Sequence, residues 1–260
     1  MKREMSVAGS FYPDDRLEIQ KYFEHFNNIY DKNHNHKNIK TKAVIVPHAG
    51  YIYSGYSANI AYRILQDSEI KTLVVIGPSH RVAFNGVSLC NFQSYKTPFG
   101  DIEAADTLVK KLQDKFQLNC FKEAHAEHST EVQFPFIKYY MPKVKIIELV
   151  YSQIEPKEIS ILIDFILSQK DCGVIISTDL SHFYNQKEAR ELDTLCLESI
   201  KNLDISMLHS GCEACGIIGV EAIMLSAKRL FLNPKLLDYR TSGDASGDNS
   251  RVVGYMSAYF

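Results

Sequence analysis

Short runs of consecutive apolar, largely β-branched residues alternate along the chain with longer stretches in which apolar positions recur every three or four residues. Runs of the first kind lie at 43–46, 72–76, 144–150 and 173–177. Unbroken apolar runs of this length predict strands buried on both faces of a parallel sheet. The second pattern predicts helices over 57–67, 103–115, 130–140, 156–169, 187–202 and 219–231. An amphipathic helix over 17–26 precedes them, with Asp14 or Asp15 as its cap. Residues 236–239 and 252–259 read as further strands. Strand–helix alternation, with no internal repeat and no Pro/Gly-rich linker, predicts one α/β domain over 1–260. Its central sheet is expected to be mostly parallel and flanked by helices on both faces. The polar stretch DKNHNHKNIK after the first helix is the clearest loop, and its His34 and His36 read as part of a solvated linker.

Composition narrows the class. The chain is 45% hydrophobic and 23% charged, enough apolar content to bury a large core. Lys+Arg 29 against Asp+Glu 31 gives a formal charge of −2. That balance argues against a nucleic-acid partner, which requires excess basic charge to displace counterions from phosphate. No apolar run approaches the ~18 residues of a membrane span, and the first residues lack a signal-like apolar segment. The expectation is a soluble, cytoplasmic protein without a membrane partner. Six cysteines spread through a chain of this size predict buried thiols rather than a disulfide framework. Cys212-Glu-Ala-Cys215 lacks the second Cys pair of a zinc ribbon and the position of a thioredoxin-like dithiol.

The chemistry gathers where strands end. The strand at 43–46 runs into Pro47-His48-Ala-Gly50, that at 72–76 into Gly77-Pro-Ser-His80, and that at 173–177 into Thr178-Asp179-Leu-Ser-His182. Open α/β sheets bind ligands outside the carboxyl ends of their strands. His48, His80 and His182 are therefore expected to share a site. Converging neutral imidazoles suit Zn, Fe, Cu or Ni. Asp179 is either a carboxylate ligand or an orienting partner of His182, and Cys215 offers a thiolate as third ligand. In Glu127-His128-Ser-Thr-Glu131, Ser129 or Thr130 reads as the helix cap, and His128 and Glu131, spaced to share a helix face, either line the cleft or belong to a plain helix start in which the dipole favours Glu131. The loop TSGDASGD (241–248) reads either as a substrate-facing loop or as a surface turn; it has neither the spacing of a calcium loop nor that of a phosphate loop.

Taken together, PHAGYIYSG (47–55), IGPSH (76–80), EHSTEVQFPF (127–136), STDLSH (177–182), ACG (214–216) and TSGDASGD (241–248) resemble the Memo family. That family includes the AmmeMemoRadiSam system protein B of bacteria and archaea. AGSFYP (8–13) and GDIEAA (100–105) extend the likeness over nearly the whole chain. The resemblance implies a fold similar to the class III extradiol (LigB-like) dioxygenases, which use non-heme iron on two His and one carboxylate. By position it implies His48 and His80 as metal ligands, with Cys215 standing where those dioxygenases keep a carboxylate. It places Asp179 and His182 beside the metal as catalytic groups, and His128 is grouped with them. It further implies iron or copper, with zinc possible, and a radical-SAM or AMMECR-type protein as partner.

Three readings follow. In the first, a metal-dependent redox or dioxygenase-like enzyme acts on a small molecule, with His182 as acid/base and Asp179 orienting it. In the second, a hydrolase or lyase uses Cys215 as nucleophile or a zinc-bound water. In the third, a binding module takes a peptide or protein in the same cleft, with Tyr51, Tyr53 and Tyr56 as an aromatic rim; for these tyrosines ordinary packing is the preferred reading.

Overall fold

The chain begins with β1 (Lys2–Arg3), α1 (Arg16–Asn33), β2 (Ala43–Val46), α2 (Tyr51–Leu65), β3 (Thr72–Pro78), β4 (Val87–Ser88), β5 (Ser94–Tyr95), β6 (Ile102–Glu103) and α3 (Asp106–Lys115). A 3-10 turn (Lys122–His125) leads to α4 (His128–Glu131) and α5 (Phe134–Tyr140), then β7 (Lys145–Tyr151), α6 (Pro156–Ser168), β8 (Cys172–Ser177) and β9 (His182–Tyr184). The remainder comprises α7 (Gln186–Asn202), α8 (Ile205–Leu208), α9 (Ile217–Leu230), β10 (Lys235–Thr241), α10 (Ser242–Ser246) and β11 (Val252–Tyr259). The structure is a computed structural model that describes residues 1–33 and 39–260; His34 and His36 lie outside them.

Eight strands form the main sheet in the order β10-β11-β2-β8-β3-β7-β4, with β9 paired to β11. Its centre, β2-β8-β3-β7, is parallel, and antiparallel strands close both edges. β2 and β8 are buried along their whole length, and β3 and β7 everywhere but at their first residue. This burial on both faces is why they read as unbroken apolar runs. Successive side chains serve opposite layers. Ala43, Ile45, Val74 and Ile76 pack under α3, α6 and α9, whereas Val44, Val46, Leu73 and Val75 pack under α1, α2 and α5. The mostly parallel α/β sheet covered on both faces is thus present, with a three-stranded β1-β5-β6 sheet beside it.

Several boundaries differ from the pattern-based ones. α1 continues to Asn33, into the expected loop, and Asp15 caps it by accepting the N–H of Leu17 and Glu18. The helix expected over 130–140 is two helices, α4 and α5. Pro135 lacks the N–H that a continuous helix would donate to the Glu131 carbonyl, so the helix must stop and restart. Four of the six cysteines are paired, as Cys90–Cys120 and Cys196–Cys212, contrary to the expectation of free thiols. The reason is tertiary: the Leu89 N–H donates to the Asn119 carbonyl, which sets Cys90 beside Cys120. No helix among the described residues is long and apolar enough to cross a membrane.

Candidate metal centre

Because β2, β8 and β3 are parallel neighbours, the residues that follow them emerge side by side at one sheet edge. His48 follows β2, Asp179 follows β8, and His80 lies two residues past the end of β3. α4 packs across the end of β3, and Gly77 makes that approach possible. A Cβ there would sit 2.6 Å from Ser129 Oγ. The result is that His128, the first residue of α4, is carried over the same edge.

His48, His80 and His128 each offer a ring nitrogen, and these atoms all lie within 4.8 Å of one another. The ring centroids are 5.2 Å apart for His48–His80, 5.3 Å for His48–His128 and 4.5 Å for His80–His128. His48 is buried, His128 half-buried and His80 exposed at the mouth.

The hydrogen bonds behind His48 set which of its nitrogens faces the cleft. Gln133 Nε2 donates to the Pro47 carbonyl (2.9 Å) and to Ser177 Oγ (3.1 Å), and Tyr62 OH donates to Gln133 Oε1 (2.9 Å). Ser177 Oγ donates its single proton to the Ser129 carbonyl. The hydroxyl can therefore only accept from His48 Nδ1, 3.0 Å away, so that nitrogen carries the ring proton. His48 Nε2 is left with its lone pair, directed at the Cys215 thiol 3.2 Å away. Burial, then His80 and His128, hold the His48 pKa well below its ordinary value, keeping the ring neutral as metal ligation requires.

His80 and His128 share one carboxylate. Glu127 caps α4 by accepting the Ser129 N–H at 3.1 Å. Its Oε2 accepts the backbone N–H of His80 (2.7 Å), and its Oε1 lies 3.1 Å from His80 Nδ1 and 2.8 Å from His128 Nδ1. The His128 contact is close but off the line of a hydrogen bond, and Nδ1 has no other partner. Burial alone would raise the Glu127 pKa. The contacts to His128 and His80 and the N–H groups of His80 and Ser129 outweigh it and hold the acid well below its usual range. Phe11 packs on the His128 ring with centroids 4.7 Å apart.

Cys215 and Asp179 form the floor beside His48. Cys215 Sγ lies 3.2 Å from His48 Nε2 and accepts the Asp179 N–H at 3.3 Å. Burial, and then the Asp179 carboxylate, push the thiol up to about 12, so it is the donor toward His48. Cys215 does not belong to the group of three mutually close nitrogens. Asp179 Oδ1 accepts the His48 N–H at 2.7 Å, and Oδ2 is 4.0 Å from His48 Nε2. Burial pushes the carboxyl up to about 7, against the His48 N–H, the nearby His80 and the Ala49 N–H, which all lower it. His182 opens β9 and is half-buried, its pKa lowered by burial. Next to it, Phe183 is 63% exposed and sits at φ 68, a left-handed backbone conformation that costs energy in a bulky residue.

Other sequence expectations are displaced. Glu131 does not line the cleft. It is fully buried on the far side of α4, where Ser6 N–H (2.8 Å), Val7 N–H (2.9 Å), Tyr12 OH (2.9 Å) and Arg3 (2.9 Å) surround it. Ser129 and Thr130 are not caps, since their hydroxyls donate to the Pro78 carbonyl and to Glu148 Oε1. Tyr51 and Tyr56 are buried, whereas Tyr53 is 40% exposed. The 241–248 loop contains α10, closed by a Thr241/Asp244 capping box. Pattern reading passed over Glu127, Ser177 and Gln133. The only available signal was the place of Glu127 beside a histidine and of Ser177 at a strand end; Gln133, at the start of α5, carried none.

Comparison with known proteins matches residues 3–259 to the family described as Memo-like protein. A MEMO1 family protein of Aquifex aeolicus is 33% identical over 99% of this chain and 98% of its own. Another, of Methanobrevibacter smithii, is 35% identical over the full length of both, and one of Metallosphaera sedula is 32% identical over 100% and 99%.

Proposed function

The chain belongs to the Memo-like family, and from that membership and the geometry of its cleft we propose a transition-metal centre that carries out redox chemistry on a small molecule. The ligands in this reading are the Nε2 atoms of His48, His80 and His128, with Cys215 placed against His48 as a further donor. One observation supports it above the others: three imidazoles with neighbouring nitrogens, each with its Nδ1 side turned to a protein oxygen. Imidazoles and a thiol form a donor set for iron, copper or zinc and a poor one for magnesium or calcium. Iron or copper bound there would supply one-electron chemistry.

The chain's own groups would hold the substrate and move protons. Asp179, with its pKa raised to about 7, can hold a proton at Oδ2 beside His48. His182, its pKa lowered by burial, can accept one. Cys215 as a nucleophile fits less well, because a thiol raised to about 12 is almost wholly protonated at neutral pH.

Metal content after anaerobic purification without a metal-binding tag tests the proposal. The expected result is near-stoichiometric iron or copper, lost in His48→Ala and His80→Ala. Metal-free protein that takes up no iron, copper or zinc on dialysis would overturn it. The exposed Ile52, Tyr53 and Phe183 favour a second reading, a peptide-binding cleft. Retained binding of a peptide partner by the metal-free variants would select it.

A further inference from the structure

Glu127 stands between two of the three histidines, and its position has a consequence for how the centre is built. Oε1 faces His80 Nδ1 at 3.1 Å, His128 Nδ1 at 2.8 Å and the Ser129 N–H at 3.1 Å, while Oε2 faces the His80 N–H at 2.7 Å. The side chain is 1% exposed. Both oxygens are engaged by donors, and Glu127 is not one of the residues whose ligand atoms converge in the cleft. What it does instead is accept. An ionised carboxylate is acceptor-only, so the His80 Nδ1 that hydrogen-bonds to it must carry hydrogen; its charge also lies 2.8 Å from His128 Nδ1, off the hydrogen-bond line, and favours hydrogen over a lone pair there. For a neutral imidazole, Nδ1–H leaves Nε2 bare, and Nε2 is the atom each ring has available for the cleft.

We propose that Glu127 is the positioning residue of the centre: one carboxylate that fixes both the orientation and the Nδ1–H tautomer of His80 and His128 together. The inference rests on the metal-centre reading for its purpose, though not for its test. It is the His80/His128 counterpart of the Ser177–Gln133 pair that fixes His48. The two devices differ in reach. Ser177 serves one ring, whereas a change at Glu127 releases two ligands at once. Outer carboxylates that orient metal-binding histidines typically matter 10–100-fold in affinity.

Glu127→Gln is the informative variant because it preserves shape and changes only the donor pattern. An amide presents one acceptor and one NH2, so whichever way it turns, an NH2 meets an N–H donor of His80, His128 or Ser129. Long-range 1H–15N spectra of the metal-free protein report ring tautomers directly. Wild type should show His80 and His128 as Nδ1–H, and Glu127→Gln should convert at least one of them. The Zn2+ dissociation constant, measured by chelator competition on the folded variant, should rise about 10–100-fold.

Nε2–H tautomers for these rings in the wild type would overturn the proposal even if the variant did not fold. So would a variant with unaltered tautomers and unaltered Zn2+ affinity. If wild type bound no Zn2+, the metal-centre reading would fail, and the tautomer spectra would still decide the role of Glu127.

Discussion

Two histidine–glutamate clusters lie on opposite sides of the four-residue helix α4, and they are built for opposite ends. On the cleft side, Glu127 faces His80 and His128. On the core side, His125 Nδ1 lies 2.6 Å from Glu148 Oε2, Thr130 Oγ1 donates to Glu148 Oε1, and Arg3 reaches both Glu148 (3.5 Å) and Glu131 (2.9 Å). The difference is at the second ring nitrogen. His125 Nε2 is 2.8 Å from Ser88 Oγ, and its ring packs on Phe92, so nothing is left over. Among the described residues the other nitrogens of His80 and His128 have no hydrogen-bond partner, and His48 Nε2 meets the Cys215 thiol; the three converge. A histidine paired to a carboxylate is thus a structural element when both nitrogens are satisfied by protein. It becomes a candidate ligand when one is held and the other left free.

The largest effect that would test this contrast is on the core side. Glu148→Ala leaves Arg3, His125 and Thr130 facing a gap in a fully buried site. Breaking a buried ion pair by removing one partner costs about 3–5 kcal/mol. Urea unfolding should show a loss of that size, and a loss under ~1 kcal/mol would mean the core cluster is not a structural brace.

The pH dependence of stability sharpens the same point. Burial raises the Glu148 pKa, but Arg3 and His125 outweigh it and hold the acid below its ordinary value. A depressed carboxylate contributes stability that is present above its unfolded pKa, about 4.3, and is lost as pH falls through the folded value. The unfolding midpoint should therefore hold from neutral pH down to about 5 and drop below about 4. Glu148→Gln should flatten that acid-side fall, and an unchanged slope would assign it to other groups.

The smallest stability effect belongs to the cleft. His80 sits at the mouth with its side chain 30% exposed, so His80→Ala should cost less than about 1 kcal/mol in unfolding while removing bound metal. A loss as large as that of Glu148→Ala would erase the distinction between the two clusters.

Local patterning was enough to place the elements that carry the site. β2 and β11 fall at the expected residues, and β3, β7 and β8 within two, because a strand buried on both faces leaves an unbroken apolar run wherever it lies. The exits after those strands also put His48, His80 and Asp179 at one edge, whereas His182 opens β9 and is not one of the three close imidazoles. The small strands β4, β5, β6 and β9 were not legible, being two or three residues long and without a period.

The sequence by itself determined the α/β class, the family likeness and which strand ends hold histidines, since all three follow from residue order and short-range periodicity. Only the tertiary structure decided that His128 joins His48 and His80 in the group of close nitrogens, that Glu127 faces two rings, that Glu131 turns to Arg3, and that Cys90 meets Cys120 and Cys196 meets Cys212. Those outcomes depend on strand order and on how closely α4 approaches Gly77. Contacts between segments far apart in the chain leave no period in the sequence to be read.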